Sequence, residues 1–571
     1  MGKMPIDSSD SLPAPAASGM PIAQFTIPAT ASLTERQPLI LKHGDTFGVF
    51  DHNGDVLSGP DSPEGIFHRD TRYLSHLTLA INGQRPILLS STLRDDNATL
   101  TCDLTNPDLF DIAGKLIIGH DQVHLRRTRF LWNSRCHERL TVRNYDEAPQ
   151  HVRIEIAFAA DFADLFEVRG TARAKRGQHL TPIVRGEAIL LSYEGLDHRR
   201  RSTRLSFDPP PDESGDVLVR YNLRLAPHET RSLFIEIACD PGEDEKSRHW
   251  SFFFALRDAR RALRTSSSKT ASILTSNEIF NEAARRCAAD LHMLVTEMPE
   301  GPYPYAGIPW FSTVFGRDAL ITAMQTLWLE PEIAGGVLGY LAANQAKELD
   351  PARDAEPGKI LHEVRCGEMA ELGEVPFRRY YGSIDSTPLF VMLAGDYVRR
   401  TGDIVTIKRL LPQIEAALSW IEDYGDRDGD GFVEYGRLTE EGLINQAWKD
   451  SHDSVFHADG RLAKGPIAVA EVQAYVYGAW KSAAEIFQRC GKPGRAADLL
   501  ASADRLRNAF DEHFFDEELG TYVMALDGDK RPCRVRSSNA GHALFTGIAY
   551  QERAEEVART LMSASSFCGW G

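Results

Sequence analysis

Trp448 stands just ahead of two carboxylates, Asp450 and Asp453, in the segment LINQAWKDSHDSVFHADG (443–460), where Lys449, His452 and His457 lie close by. A carboxylic acid kept protonated near neutral pH by apolar or anionic surroundings serves as a general acid. An indole beside paired carboxylates supplies both influences, so either aspartate is a candidate. A plain polar surface loop is the alternative reading of the same residues.

Three further clusters carry groups suited to binding a polyhydroxylated ligand. GPYPYAGIPWFSTVFGRDALIT (301–322) holds Tyr305, Trp310 and Phe311, then Arg317 and Asp318 at a helix start. Aromatic faces stack on the apolar faces of sugar rings, while guanidinium and carboxylate groups bond the hydroxyls; the alternative is a core loop in which Asp318 caps the helix. DAEPGKILHEVRCGE (354–368) gathers Lys359, His362, Glu363 and Arg365, which suits a polar cleft. FRRYYGSIDSTPLF (377–390) places Tyr380, Tyr381 and Asp385 ahead of Thr387-Pro388, a helix start with Pro in its first turn. Asp385 is either a ligand-binding group or a helix cap.

Metal signals are weaker. DRDGDGFVE (426–434) begins like a calcium loop with Asp426, Asp428, Asp430 and Gly431, but Arg437 stands at the twelfth position, where bidentate Glu is needed. A tight turn is the preferred reading. The histidines lack HExxH-type spacing, and the eight cysteines contain no CxxC pair. No catalytic metal, cofactor or disulfide framework is expected.

Two different periodicities must position these clusters. VRIEIAFAADF (152–162) and RSLFIEIAC (231–239) alternate apolar and polar residues, the mark of strands with one buried face, and turn signals such as INGQRP near 81 punctuate the first half. Many short antiparallel strands predict a β-sandwich over 31–245. After a linker at 246–275, the period becomes helical: EIFNEAARRCAADLHML sets Phe280, Ala284, Cys287, Leu291 and Leu294 on one face. Further helices are expected near 317–329, 333–348, 386–401, 404–423, 467–490, 493–514 and 552–564, with the chemical clusters in the loops between them. Long ordered loops on a helical scaffold are commonly functional.

With 571 residues, 42% hydrophobic and 25% charged, the chain has material for more than one core. Its net charge of −17, from 81 acidic and 64 basic residues, argues against nucleic acid and against an anionic membrane surface as partners. A neutral carbohydrate is compatible with that charge. The Pro-, Ala- and Ser-rich residues 1–30 read as a disordered tail without the basic and apolar blocks of a secretory signal, so a cytoplasmic location is expected.

The motifs GIPWFSTVFGRDALIT, DAEPGKILHEVR, YYGSIDSTPLF, NQAWKDSHDSVFHADG and GPIAVAEVQAYVY, in this order, resemble the bacterial amylo-α-1,6-glucosidase (glycogen debranching enzyme-like) family, and EGIFHRDTRYLSHLTLAINGQRPILLSS (64–91) resembles its N-terminal domain. The resemblance implies an N-terminal β-sandwich, an (α/α) six-hairpin toroid over 276–571, and inverting hydrolysis of α-glucosidic, notably α-1,6, linkages in glycogen-like glucans or small α-glucosides. It implies Asp450 as the acid, because Trp448-Lys449-Asp450 matches a Trp-Met-Asp motif; the mannosylglycerate hydrolase-like relatives would select Asp453. Glu471 matches a site-lining helix position with a supporting role. Six hairpins need twelve helices, and eight or nine are visible, so the toroid reads as C-terminally truncated, with the family's catalytic base expected beyond residue 571. Inverting phosphorolysis, with Arg317, Lys359, Arg365 and Lys449 available for phosphate, is a second reading, and non-catalytic glycan binding a third.

Overall fold

Strands of alternating burial build the first half of the protein. In the strand Gln150–Ala159, Val152, Ile154, Ile156 and Phe158 are buried and Arg153 is exposed, as the period-2 pattern predicts. It lies in a five-stranded antiparallel sheet whose other main strands are His76–Ile81 and Leu218–Leu225. Facing it is an eight-stranded antiparallel sheet in which Thr230–Cys239 sits between Arg135–Asn144 and Arg200–Asp208. One continuous apolar core fills the space between, including Leu79, Leu140, Ile154, Leu205 and Ile237. A four-stranded sheet of Leu39–His43, Thr46–Phe50, Gly65–His68 and Thr71–Leu74 adds a small core of Phe47, Val49, Phe67 and Leu165. The INGQ turn works as read: Asn82 and Gly83 both have positive φ, 47° and 77°, and Ile81 and Gln84 exchange backbone bonds.

This computed structural model describes residues 38–57, 59, 62–111, 113–242 and 251–570; the tail read at 1–30 and the start of the linker at 246–250 lie outside them. The helices, in chain order, are α1 Leu165–Val168, α2 Ser251–Ser267, α3 Glu278–Leu294, α4 Gly316–Thr326, α5 Pro331–Ala343, α6 Glu368–Glu371, α7 Ser386–Thr401, α8 Ile404–Trp420, α9 Ala470–Arg489, α10 Pro493–Phe514, α11 Gly541–Thr546 and α12 Gln551–Leu561. The stretch read as a linker thus contains α2, whose Phe252 packs on Phe130 and Phe234 of the large sheet.

From α4 onward the helices form two rows. Helices α4, α7, α9 and α11 contact one another in succession, and α5, α8, α10 and α12 pack behind them. Helices α7 and α9 are buried on nearly all sides, which fits their place in the inner row. Helix α3 forms where the periodicity predicts, yet Phe280 and Cys287 of its expected core face are exposed. Instead Asn281 is buried, bonding the Thr275 backbone through both ends of its amide. Among the described residues, no helix is long and apolar enough to cross a membrane.

The sheets also grip the loops that carry the chemical clusters. Asp70 accepts from Arg365 Nη1 at 3.1 Å and from the Cys366 backbone at 2.8 Å. Asp164 accepts from the Met369 backbone at 3.0 Å, and Glu368 from Tyr193 Oη at 3.0 Å. Three of these four bonds are buried and the Cys366 bond is part-buried, so together they hold the 363–369 segment firmly against the sheet domain.

Candidate active site

Gly316 opens α4 and donates its N–H to the His362 carbonyl at 2.8 Å. A Cβ at this position would lie 1.9 Å from the Leu361 carbonyl oxygen, so only glycine lets the 359–365 segment approach. The next two residues, Arg317 and Asp318, are thereby fixed in the first turn, where an anionic side chain is favoured by the helix dipole.

Arg317 is the centre of the site. Its Nη1 donates to Asp385 Oδ2 at 3.3 Å and to the Ala447 carbonyl at 3.0 Å, and its Nη2 donates to Asp450 Oδ2 at 3.0 Å. Asp385 occupies the N-cap position of α7 but makes no cap bond. Its carboxylate instead accepts from Ser383 Oγ at 2.5 Å as well as from Arg317, and it is fully buried. Asp450 is different in kind: its side chain keeps 30% of its exposure, enough to meet a ligand. Burial pushes its carboxyl above the ordinary aspartate value, with Asp385 and Asp318 adding to the rise and Arg317 opposing it.

The loop bearing Asp450 is pinned from several sides. Asn445 accepts from Tyr435 Oη at 2.7 Å and donates to the Ser451 carbonyl at 2.6 Å. Ser454 Oγ donates to the Lys449 carbonyl. Lys449 Nζ donates to Asn539 Oδ1 at 2.7 Å, and Asn539 Nδ2 donates to Glu471 Oε2 at 2.7 Å. Glu471, in the first turn of α9, is fully buried and pushed up to about 7 by that burial. Its Oε1 has no hydrogen-bond partner among the described residues. One turn further along α9, Tyr475 Oη shares a 2.8 Å hydrogen bond with His542 Nδ1, and the His542 ring meets Trp448 edge-on at 5.8 Å.

The other sequence candidates divide by place. Asp453 is exposed and outside the cluster around Arg317. Tyr305 is buried and donates to Asp45 at 2.6 Å. Tyr380 donates to Asp354 at 2.7 Å, and Tyr381 donates to the Asn344 carbonyl at 2.8 Å. Glu363 and Arg365 pair with each other at 3.3 Å, and burial pushes Glu363 up. His362 lies between the rings of Phe315 and Tyr380, held neutral by burial, and its Nδ1 has no hydrogen-bond partner among the described residues. These groups fix the walls of the loops. Trp310 and Phe311 are half-buried, and Trp310 packs partly on the small sheet-domain core. Asn539, Tyr475 and His542 were not among the sequence candidates; the nearest signals are the polar run SSNAGH (537–542) and the four-residue spacing of Glu471 and Tyr475.

The acidic turn at 426–431 closes on itself. Asp426 accepts from the backbones of Gly429 and Gly431, and Lys530 Nζ sits 2.9 Å from Asp428, 2.7 Å from Asp430 and 2.7 Å from Glu434. Lys530 thus supplies a cationic partner to Asp428, Asp430 and Glu434.

Antiparallel sheets are thus followed by paired helical rows, with carboxylates gathered on an arginine at the loop ends. Residues 41–236 match the N-terminal domain of some glycogen debranching enzymes. Residues 314–570 match the mannosylglycerate hydrolase MGH1-like glycoside hydrolase domain. The chain thus carries a debranching-enzyme-type N-terminal domain followed by an MGH1-like glycoside hydrolase domain. Among solved structures it is similar to a bacterial glucoamylase complexed with acarbose (10% identity, TM-score 0.56, 91% of this chain and 77% of that one). It is also similar to a protein described as a kojibiose phosphorylase from the human microbiome (9% identity, TM-score 0.51, 85% of this chain and 69% of that one). At such identities the likeness is one of fold. No curated protein matches the chain in sequence.

Proposed function

We propose that the protein is an inverting glycoside hydrolase acting on α-glucosidic linkages, notably α-1,6, with Asp450 as the general acid. The observation that carries this reading is the setting of Asp450: part-exposed, with its carboxyl raised by burial and neighbouring carboxylates, yet oriented by Arg317. A raised carboxylic acid donates its proton to the leaving oxygen as the glycosidic bond breaks. In an inverting enzyme a second carboxylate, about 6.5 to 9.5 Å from the first, activates water on the opposite face of the ring. The α-1,6 preference is supported by the debranching-type N-terminal domain.

Hydrolysis is favoured over phosphorolysis by the state of the basic groups. Arg317 is engaged by Asp385 and Asp450, Arg365 by Asp70 and Glu363, Lys449 by Asn539, and Lys359 by the Asp354 carbonyl. Phosphate would have to displace these partners. A cytoplasmic setting belongs to the same reading, the eight cysteines being scattered along the sequence without a CxxC pair. Reducing-sugar release from α-1,6, α-1,4 and α-1,2 glucosides, with and without inorganic phosphate, tests the reading. Glucose release independent of phosphate is expected; sugar phosphate formed only with phosphate would replace hydrolysis by phosphorolysis.

A further inference from the structure

We propose that Arg169, carried by the sheet domain, forms with Trp310 and Phe311 a subsite for a second, neutral sugar ring, beyond the ring held at Asp450. The proposal rests on the glycosidase reading above and assigns part of the recognition to the N-terminal domain.

Arg169 is placed by a short, well-fixed element. Helix α1 is closed at its start by a capping box, with Asp164 accepting from the Phe166 backbone at 3.0 Å and Glu167 accepting from the Asp164 backbone at 3.0 Å. The Arg169 N–H then bonds the Leu165 carbonyl at 3.1 Å, at the helix end. Because Asp164 also accepts from Met369, this turn is locked to the helical domain as well.

The side chain crosses to the aromatic loop of that domain. Its guanidinium carbon lies 5.7 Å from the Trp310 ring centre, 5.7 Å from Phe311 and 5.9 Å from Phe166, within the range of cation–π attraction. Arg169, Trp310 and Phe311 are all half-buried, so the group retains an outward face. An aromatic face with a planar N–H fork beside it suits a sugar ring, which offers an apolar face and neighbouring hydroxyls. The surrounding charges favour a neutral ligand: Arg169 and Arg365 are balanced by Glu363 and Asp70. The subsite is linked to the acid through Phe311, whose ring meets Phe315 edge-on at 5.7 Å, and Phe315 directly precedes α4 and Arg317.

Calorimetric titration of the protein carrying Asp450→Asn, a substitution expected to slow turnover strongly, compares isomaltotriose with methyl α-glucoside. Arg169→Ala is expected to weaken isomaltotriose binding about tenfold, the loss of a charged hydrogen bond, and to leave the single-ring ligand within about twofold. Arg169→Lys, which preserves the charge and the fold but not the fork, is expected to fall between. Unchanged isomaltotriose binding in Arg169→Ala overturns the subsite alone, as does an equal loss for both ligands in the folded Arg169→Lys protein. Absence of saccharide binding in the Asp450→Asn parent overturns the glycosidase reading and the subsite together.

Discussion

Arg317 Nη2 donates to Asp450 Oδ2 at 3.0 Å across 133 residues of sequence, joining the first turn of α4 to the loop after Trp448. The same guanidinium holds the fully buried Asp385. One cation therefore orients a part-exposed carboxyl while satisfying a buried one, and the two tasks can be separated by mutation.

Replacing Arg317 by Met leaves Asp385 buried without its counter-ion. A loss of about 3 to 5 kcal/mol in unfolding free energy is expected from denaturant titration, the range found when one partner of a buried pair is removed. Adding Asp385→Asn removes the stranded charge and should recover a substantial part of that loss without restoring turnover. A single variant as stable as the parent would show that Arg317 is not the partner of Asp385 in solution.

Stability should fall as pH rises through the neutral range. Glu471 is raised from 4.5 to about 7 in the folded protein, so between those values the folded state binds more protons than the unfolded state. Its neutral form contributes fully below about pH 4.5, and the contribution is lost as pH rises through about 7. The span corresponds to something on the order of 3 kcal/mol. Glu471→Gln, neutral at every pH, should flatten the profile of melting temperature between pH 5 and 8. An unaltered slope in that variant would assign the titration to other groups, of which Asp164, also raised to about 7, is the first to test.

Gly316→Ala should be severe although it adds one methyl group. The new Cβ meets the Leu361 carbonyl at 1.9 Å, and backbone on both sides must yield. Overpacking of this kind costs about 1 to 3 kcal/mol, and displacement of Arg317 should lower kcat as well. Melting temperature and turnover measured together check this; a fully stable, fully active Gly316→Ala protein would contradict the close approach.

The two periodicities made the fold legible. Alternation in 152–158 and 231–239 marks strands buried on one side, and the helical segments near 386–401 and 493–514 match α7 and α10 closely because their apolar faces are covered. For α3 the period predicted the helix but not the exposure of Phe280, since whether a neighbouring element packs on that face is a tertiary matter that the pattern does not encode. In the site, Arg317, Asp385, Trp448, Lys449 and Asp450 were visible as unusual residues in loops. The assembly of Asp385 and Asp450 on the Arg317 guanidinium was not, because the contacts span 68 to 133 residues. Tyr305, Tyr380 and Tyr381 drew notice as ligand-binding rings, yet their hydroxyls are bonded into the protein, a use that residue type alone does not reveal. Asn539 escaped because a lone amide has no spacing signature, although it joins Lys449 to Glu471.

The assignment of Asp450 as the acid is tested most directly by comparing two substrates in the Asp450→Asn protein. An α-1,6-linked glucoside needs its leaving oxygen protonated, whereas α-glucosyl fluoride does not. The expected result is a fall in kcat of about 10²- to 10⁴-fold on the glucoside, with α-glucosyl fluoride affected far less. Retained turnover of the glucoside in Asp450→Asn, with loss in Asp453→Asn instead, would contradict the assignment and move the acid to the exposed loop.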